Sequence, residues 1–142
     1  MKGTEKILLL DNDQITANDF KGIFQHNNFN VDILKNLDDL TVSLKRETYD
    51  VLVCECVFTK PKNMDEHFFH TELGRGLDCE KFIISEVEKL QPDLPILFCT
   101  TKPDKSLIDG MRASDAYIKK PTTVIDVVNQ IKAILSAKKA NN

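Results

Sequence analysis

The run Val51-Leu52-Val53-Cys54-Glu55-Cys56 decides how this chain folds. It is short and apolar, Tyr49-Asp50 introduces it, and one carboxylate stands near its downstream end. An acid is costly to bury in a strand unless something pairs with it. In a parallel α/β sheet the C-terminal ends of the strands open into the crevice where ligands sit. Glu55 is therefore either a solvated strand end or the centre of a polar site. Three other stretches end in the same manner and favour the second reading. They are Ile7-Leu8-Leu9-Leu10 before Asp11-Asn12-Asp13, Ile96-Leu97-Phe98-Cys99 before Thr100-Thr101, and Ala116-Tyr117-Ile118 before Lys119-Lys120-Pro121.

Outward from that strand, the chain alternates in type. Lys6 to Leu10 does not alternate polar with apolar, as expected of a strand buried on both faces. Asp13 is placed to cap a helix over 15–25 whose face carries Phe20, Ile23 and Phe24. Asn27-Asn28 breaks that helix, and 30–34 forms a second strand. A helix over 38–46 follows, with Leu37, Leu40 and Leu44 on its inner stripe. After the central strand comes an extended connection, 58–76, carrying His67-Phe68-Phe69-His70 and ending at Gly74-Arg75-Gly76. A connection of that length in a compact domain tends to be functional or disordered. It is expected to cover the polar pocket or to form a partner surface.

A helix over 77–90 presents Phe82, Ile83, Val87 and Leu90, and Gln91-Pro92-Asp93 ends it. A fourth strand covers 95–99. A short helix reaches Met111 with Leu107, Ile108 and Met111 on one side, and a short fifth strand covers 116–119. The last helix, 122–137, buries Val124, Val127, Val128, Ile131 and Leu135, with Thr123 and Asp126 spaced as a capping box. The tail 137–142 reads as flexible. Strand then helix, five times over, calls for a parallel sheet with helices on both faces and right-handed crossovers.

Bulk properties narrow the function. At 142 residues one domain, 1–142, is expected, large enough for a full core. Hydrophobic content of 42% with charged content of 29% fits a globular protein, and a net charge of -3 gives no basic excess to attract nucleic acid. No apolar run is long enough to span a bilayer, and no secretory leader is legible, so a cytoplasmic location follows by default. The four cysteines are Cys54, Cys56, Cys79 and Cys99. Three lie in strand-like runs, where reduced Cys behaves as a small buried hydrophobe. A metal site drawing on Cys54, Cys56, Cys99 and a nearby His matches no common zinc spacing. His67 and His70 could share a helix face and bind metal, but read better as polar flanks of an aromatic pair.

The four strand-end motifs, taken in order, resemble the receiver domains of two-component response regulators, over Lys6 to about Leu135. The resemblance implies a flavodoxin-like (βα)5 fold with strand order 2-1-3-4-5. In that family an aspartate at the end of the third strand accepts a phosphoryl group from a histidine kinase, and an acid pair after the first strand holds Mg²⁺. Carried over, the acceptor position falls on Glu55 and the acid pair on Asp11 and Asn12. Asn12-Asp13 is the alternative register. Val57 would offer its backbone to the metal, Thr100 and Lys120 would contact the phosphoryl oxygens, and Tyr117 would be the aromatic switch.

Two departures matter. Glu55 carries one methylene more than Asp and projects its carboxylate roughly 1.5 Å further. About 1 Å of misplacement can cost ~100-fold in rate. Asn12 removes a negative charge from a site for a hard cation, so Mg²⁺ affinity should fall. With no phosphate present, Glu55 and Lys120 could form an ion pair, with Thr100 donating a hydrogen bond. The expectation is a stand-alone pseudo-receiver, with no required cofactor and at most weakened Mg²⁺ binding. It would act on a protein partner, a histidine kinase or another regulator, through the face of helix 4, strand 5 and helix 5. No output module is expected after residue 142, so its signal would pass through that contact. A working phosphorelay receiver is the alternative. An enzyme ranks last, because no nucleophile has a paired base and no glycine-rich loop follows the first strand.

The simpler readings are these. Glu55 is a solvated strand end, Lys120 a surface lysine, and Thr100 a backbone cap. Tyr117, on composition alone, is a core residue.

Overall fold

The computed structural model describes residues 4–11, 13–54, 78–100, 105–120 and 122–140. Its elements are β1 (Lys6–Leu10), α1 (Gln14–His26), β2 (Asn30–Leu34), a 3-10 turn (Leu37–Asp39), α2 (Leu40–Arg46), β3 (Val51–Cys54), α3 (Asp78–Leu90), β4 (Ile96–Thr100), α4 (Lys105–Gly110), β5 (Ala116–Lys119) and α5 (Val124–Ala140). The strands form one parallel sheet in the order β2-β1-β3-β4-β5. This is the flavodoxin-like topology expected from the sequence.

Register aligns the strand ends. Leu10 pairs with both Leu34 and Cys54, Cys54 with Phe98, and Phe98 with Tyr117. One row of residues therefore crosses the whole sheet just below the loops that carry the candidate site.

The period of two along each strand divides the core into two layers. Ile7, Leu9, Val51, Val53, Leu97 and Cys99 face one way, toward Ala17, Phe20 and Phe24 of α1 and Val127, Val128, Ile131 and Leu135 of α5. Leu8, Leu10, Leu52, Cys54, Ile96 and Phe98 face the other way, toward Leu40 and Leu44 of α2, Ile83, Ile84 and Val87 of α3, and Leu107 of α4. Burying each such aliphatic side chain stabilises the fold by roughly 2 kcal/mol, so both helical layers are needed to cover the central strands. Phe20, Phe24 and Phe29 add edge-to-face ring contacts, at centroid separations of 5.5 and 6.3 Å.

Details differ from the sequence expectation. Ile23 and Ile108 are exposed, and Ala17 and Ile84 take places in the core instead. The second helix opens with a 3-10 turn at Leu37–Asp39, where two consecutive Asp residues favour helix poorly. The last helix continues to Ala140, so residues 138–140 of the expected flexible tail are helical. Lys139 holds that end by an ion pair with Glu5 at 3.4 Å, and Lys138 Nζ donates to the Asp50 carbonyl at 3.5 Å. The capping pattern at its start is present in part: the Asp126 N–H donates to Thr123 Oγ1 at 3.1 Å. The connection 58–76, with His67 and His70, lies outside the described residues.

Two polar side chains tie loops to the sheet at its N-terminal edge. Gln91 donates to the carbonyls of Leu44 and Glu47 and accepts from the Tyr49 N–H, fastening the segment between α2 and β3 to the end of α3. Arg112 makes a two-pronged contact with Asp115 at 2.7 and 3.0 Å and donates to the carbonyls of Pro92 and Leu94. Asp115, whose side chain is fully buried, also accepts from the backbone N–H groups of Arg112 and Ile96. The pair thus joins the loop after α4 to the start of β4. Removing one partner of a buried pair leaves the other charge uncompensated. Asp115→Ala should lower unfolding stability by about 3 kcal/mol in urea titrations. A loss under about 1 kcal/mol would mean that water replaces the carboxylate at little cost.

Candidate functional site

β1 delivers Asp11 to the mouth of the sheet. Its backbone N–H continues the ladder to the Leu34 carbonyl at 3.0 Å, and its side chain is 1% exposed. Oδ1 accepts from the Asp13 N–H at 2.9 Å. Oδ2 is buried and has no hydrogen-bond partner among the described residues. Burial pushes the Asp11 carboxyl above its ordinary range, and the charge of Asp13 adds to this. The Asp13 N–H and the Lys120 cation pull in the opposite direction.

Asp13 has a different task. It is the N-cap of α1, with extended backbone, and accepts from the Ile15 N–H at 3.0 Å and from Thr16 Oγ1 at 3.0 Å. Those bonds, the Thr16 hydroxyl foremost, hold its carboxyl below the ordinary range. Both oxygens are engaged with the first turn of the helix, and the residue is exposed. Asp13 is thus occupied as a helix cap, whereas Asp11 keeps one buried oxygen without a hydrogen-bond partner among the described residues. Thr16, which orients Asp13, was not singled out in the sequence. A hydroxyl three residues after an acidic cap was the available signal.

β4 and β5 bring the other two site residues together. Thr100 pairs with Lys119, and the Lys120 N–H donates to the Thr100 carbonyl at 2.7 Å. Both residues are half-buried, and the charge of Lys120 is felt at Asp11. Asp11, Thr100 and Lys120 thus stand at the C-terminal ends of β1, β4 and β5. Tyr117 pairs with Phe98 on β5, but its side chain is 41% exposed, so the core reading of this residue does not hold. Asn12, Glu55 and Val57 lie outside the described residues. β3 delivers the chain as far as Cys54, one peptide before Glu55.

The donor chemistry at Asp11 suits a hard cation. A buried carboxylate oxygen without a hydrogen-bond donor is the kind of ligand that Mg²⁺ takes, and an ion there would offset the cost of its burial. A cysteine centre finds no such support. Cys54 belongs to one core layer and Cys99 to the other, with the sheet between them. Among the described residues no group of three or more His, Cys, Asp or Glu side chains is placed to hold a metal ion, so among them Asp11 would be a single protein carboxylate ligand there. No helix of the described residues is long and apolar enough to cross a membrane.

Two exposed apolar residues near this end of the molecule were also missed. Ile15 is 75% exposed in the first turn of α1, and Ile125 is 65% exposed in the first turn of α5. Each lies off the buried stripe of its helix, which is visible in the helical period of the sequence.

No protein-family model matches the sequence, and no curated protein sequence matches it. Solved structures do match the fold. A CheY-like response regulator receiver domain protein from Methanospirillum hungatei is similar with a TM-score of 0.76 and 15% identity, over 99% of this chain and 100% of that one. A response regulator receiver protein from Sinorhizobium medicae gives a TM-score of 0.73 at 18% identity, over 95% and 97% of the two chains. A two-component response regulator from Clostridium difficile gives 0.69 at 20% identity, over 93% and 96%. At such identities the likeness speaks to architecture: the chain has the fold of response-regulator receiver domains.

The state of Asp11 has a measurable consequence. A carboxyl whose folded pKa is raised binds its proton more tightly in the folded protein than in the unfolded chain. Its contribution is most favourable below the unfolded value of 3.8 and declines as pH rises through the raised folded value. Asp11→Asn retains an acceptor for the Asp13 N–H and removes the charge. A buried neutral amide is less costly than a buried ion. The variant should unfold at a higher temperature than wild type at pH 7, and its midpoint should vary less with pH just above 3.8. A lower midpoint at pH 7 would mean that Lys120 compensates the burial of the ionised carboxylate.

Proposed function

We propose that this chain is a receiver-like signalling module that acts through contact with a protein partner, without being switched by phosphorylation at the strand-end carboxylate. What supports this reading is that Asp11, Thr100 and Lys120 all fall at the C-terminal ends of strands of one parallel sheet, in a chain whose β3 leads into Glu55 rather than Asp. Lys120 and Thr100 are the residue types that would hold phosphoryl oxygens. A glutamate already carries negative charge about one carbon–carbon bond further out than an aspartate. Such a side chain would supply the charge that a phosphoryl group otherwise brings, and the module would rest in one signalling state.

The partner surface we favour is the face of α4, β5 and α5. Ile108 on α4 is 43% exposed, and Tyr117 on β5 is exposed to a similar degree. Apolar and aromatic side chains of this kind anchor protein interfaces. Chemically, the partner would be another protein of a two-component pathway, a histidine kinase or a second regulator. An enzymatic role is the least supported, since the sequence pairs no nucleophile with a base.

A second reading, a working phosphorelay receiver, draws on one observation: the unpartnered oxygen of Asp11, which is suited to Mg²⁺. Incubation with a small-molecule phosphodonor and Mg²⁺, followed by intact-mass measurement, separates the two. Wild type should gain no phosphoryl adduct. The double variant Asn12→Asp with Glu55→Asp should gain one and should bind Mg²⁺ more tightly in calorimetric titrations. An adduct on unmodified Glu55 would establish the phosphorelay reading in place of ours.

The interface reading also requires that its anchors are not structural. Ile108→Lys and Tyr117→Lys should each leave urea stability within about 0.5 kcal/mol of wild type. A loss of several kcal/mol from either would place that residue in the core rather than on a docking face.

A further inference from the structure

We draw no further inference here: the strongest candidate, a groove of about 610 Å³ between the C-terminal half of α5 and the starts of β4 and β5, lined by small and apolar residues such as Pro95, Ala116, Ala133, Ile134 and Ala137, carries nothing because nothing in the structure shows what covers it.

Discussion

The central strands β1, β3 and β4 are sealed on both faces, and this constraint organises the molecule. Side chains from α1 and α5 close one face, and side chains from α2, α3 and α4 close the other. Water can then reach these strands only at their ends. Polar side chains that must stay near the sheet collect there, and the parallel arrangement sends every C-terminal end to the same side. Asp11, Thr100 and Lys120 lie at the same end of the sheet because it is parallel, not because they are close in sequence. The Lys120 to Thr100 backbone bond extends the ladder one step past β5 and fixes these two residues side by side.

The same constraint explains how much was legible beforehand. Short uninterrupted apolar runs such as Ile7-Leu8-Leu9-Leu10, alternating with helical stripes, fit covered strands of a parallel sheet, so strand number and order of types followed from them. Helical stripes such as Val127, Val128, Ile131 and Leu135 were equally plain. Less legible was which apolar residue at the margin of a stripe goes inside. Ile23 and Ile108 fit the helical period, yet both are exposed. The helical end of α5 was also missed, because its support comes from Glu5 and Asp50, far away in sequence.

At the candidate site, the sequence identified the residue types but not their division of labour. Asp11 and Asp13 look interchangeable in the string Asp11-Asn12-Asp13. In the fold they differ in environment. One is buried with an oxygen left over, and its proton is held more tightly than usual. The other is at the surface, fully occupied as a helix cap, and gives up its proton more readily. Two identical side chains two residues apart are thus biased in opposite directions by burial on one hand and by N–H and O–H donors on the other.

The ion pair between Lys139 and Glu5 brings the two ends of the described chain side by side. Both lie where β1 begins and α5 finishes, at the pole of the sheet away from Asp11. A short flexible bridge could therefore join them without disturbing the strand mouths, and a circularly permuted chain could be opened elsewhere.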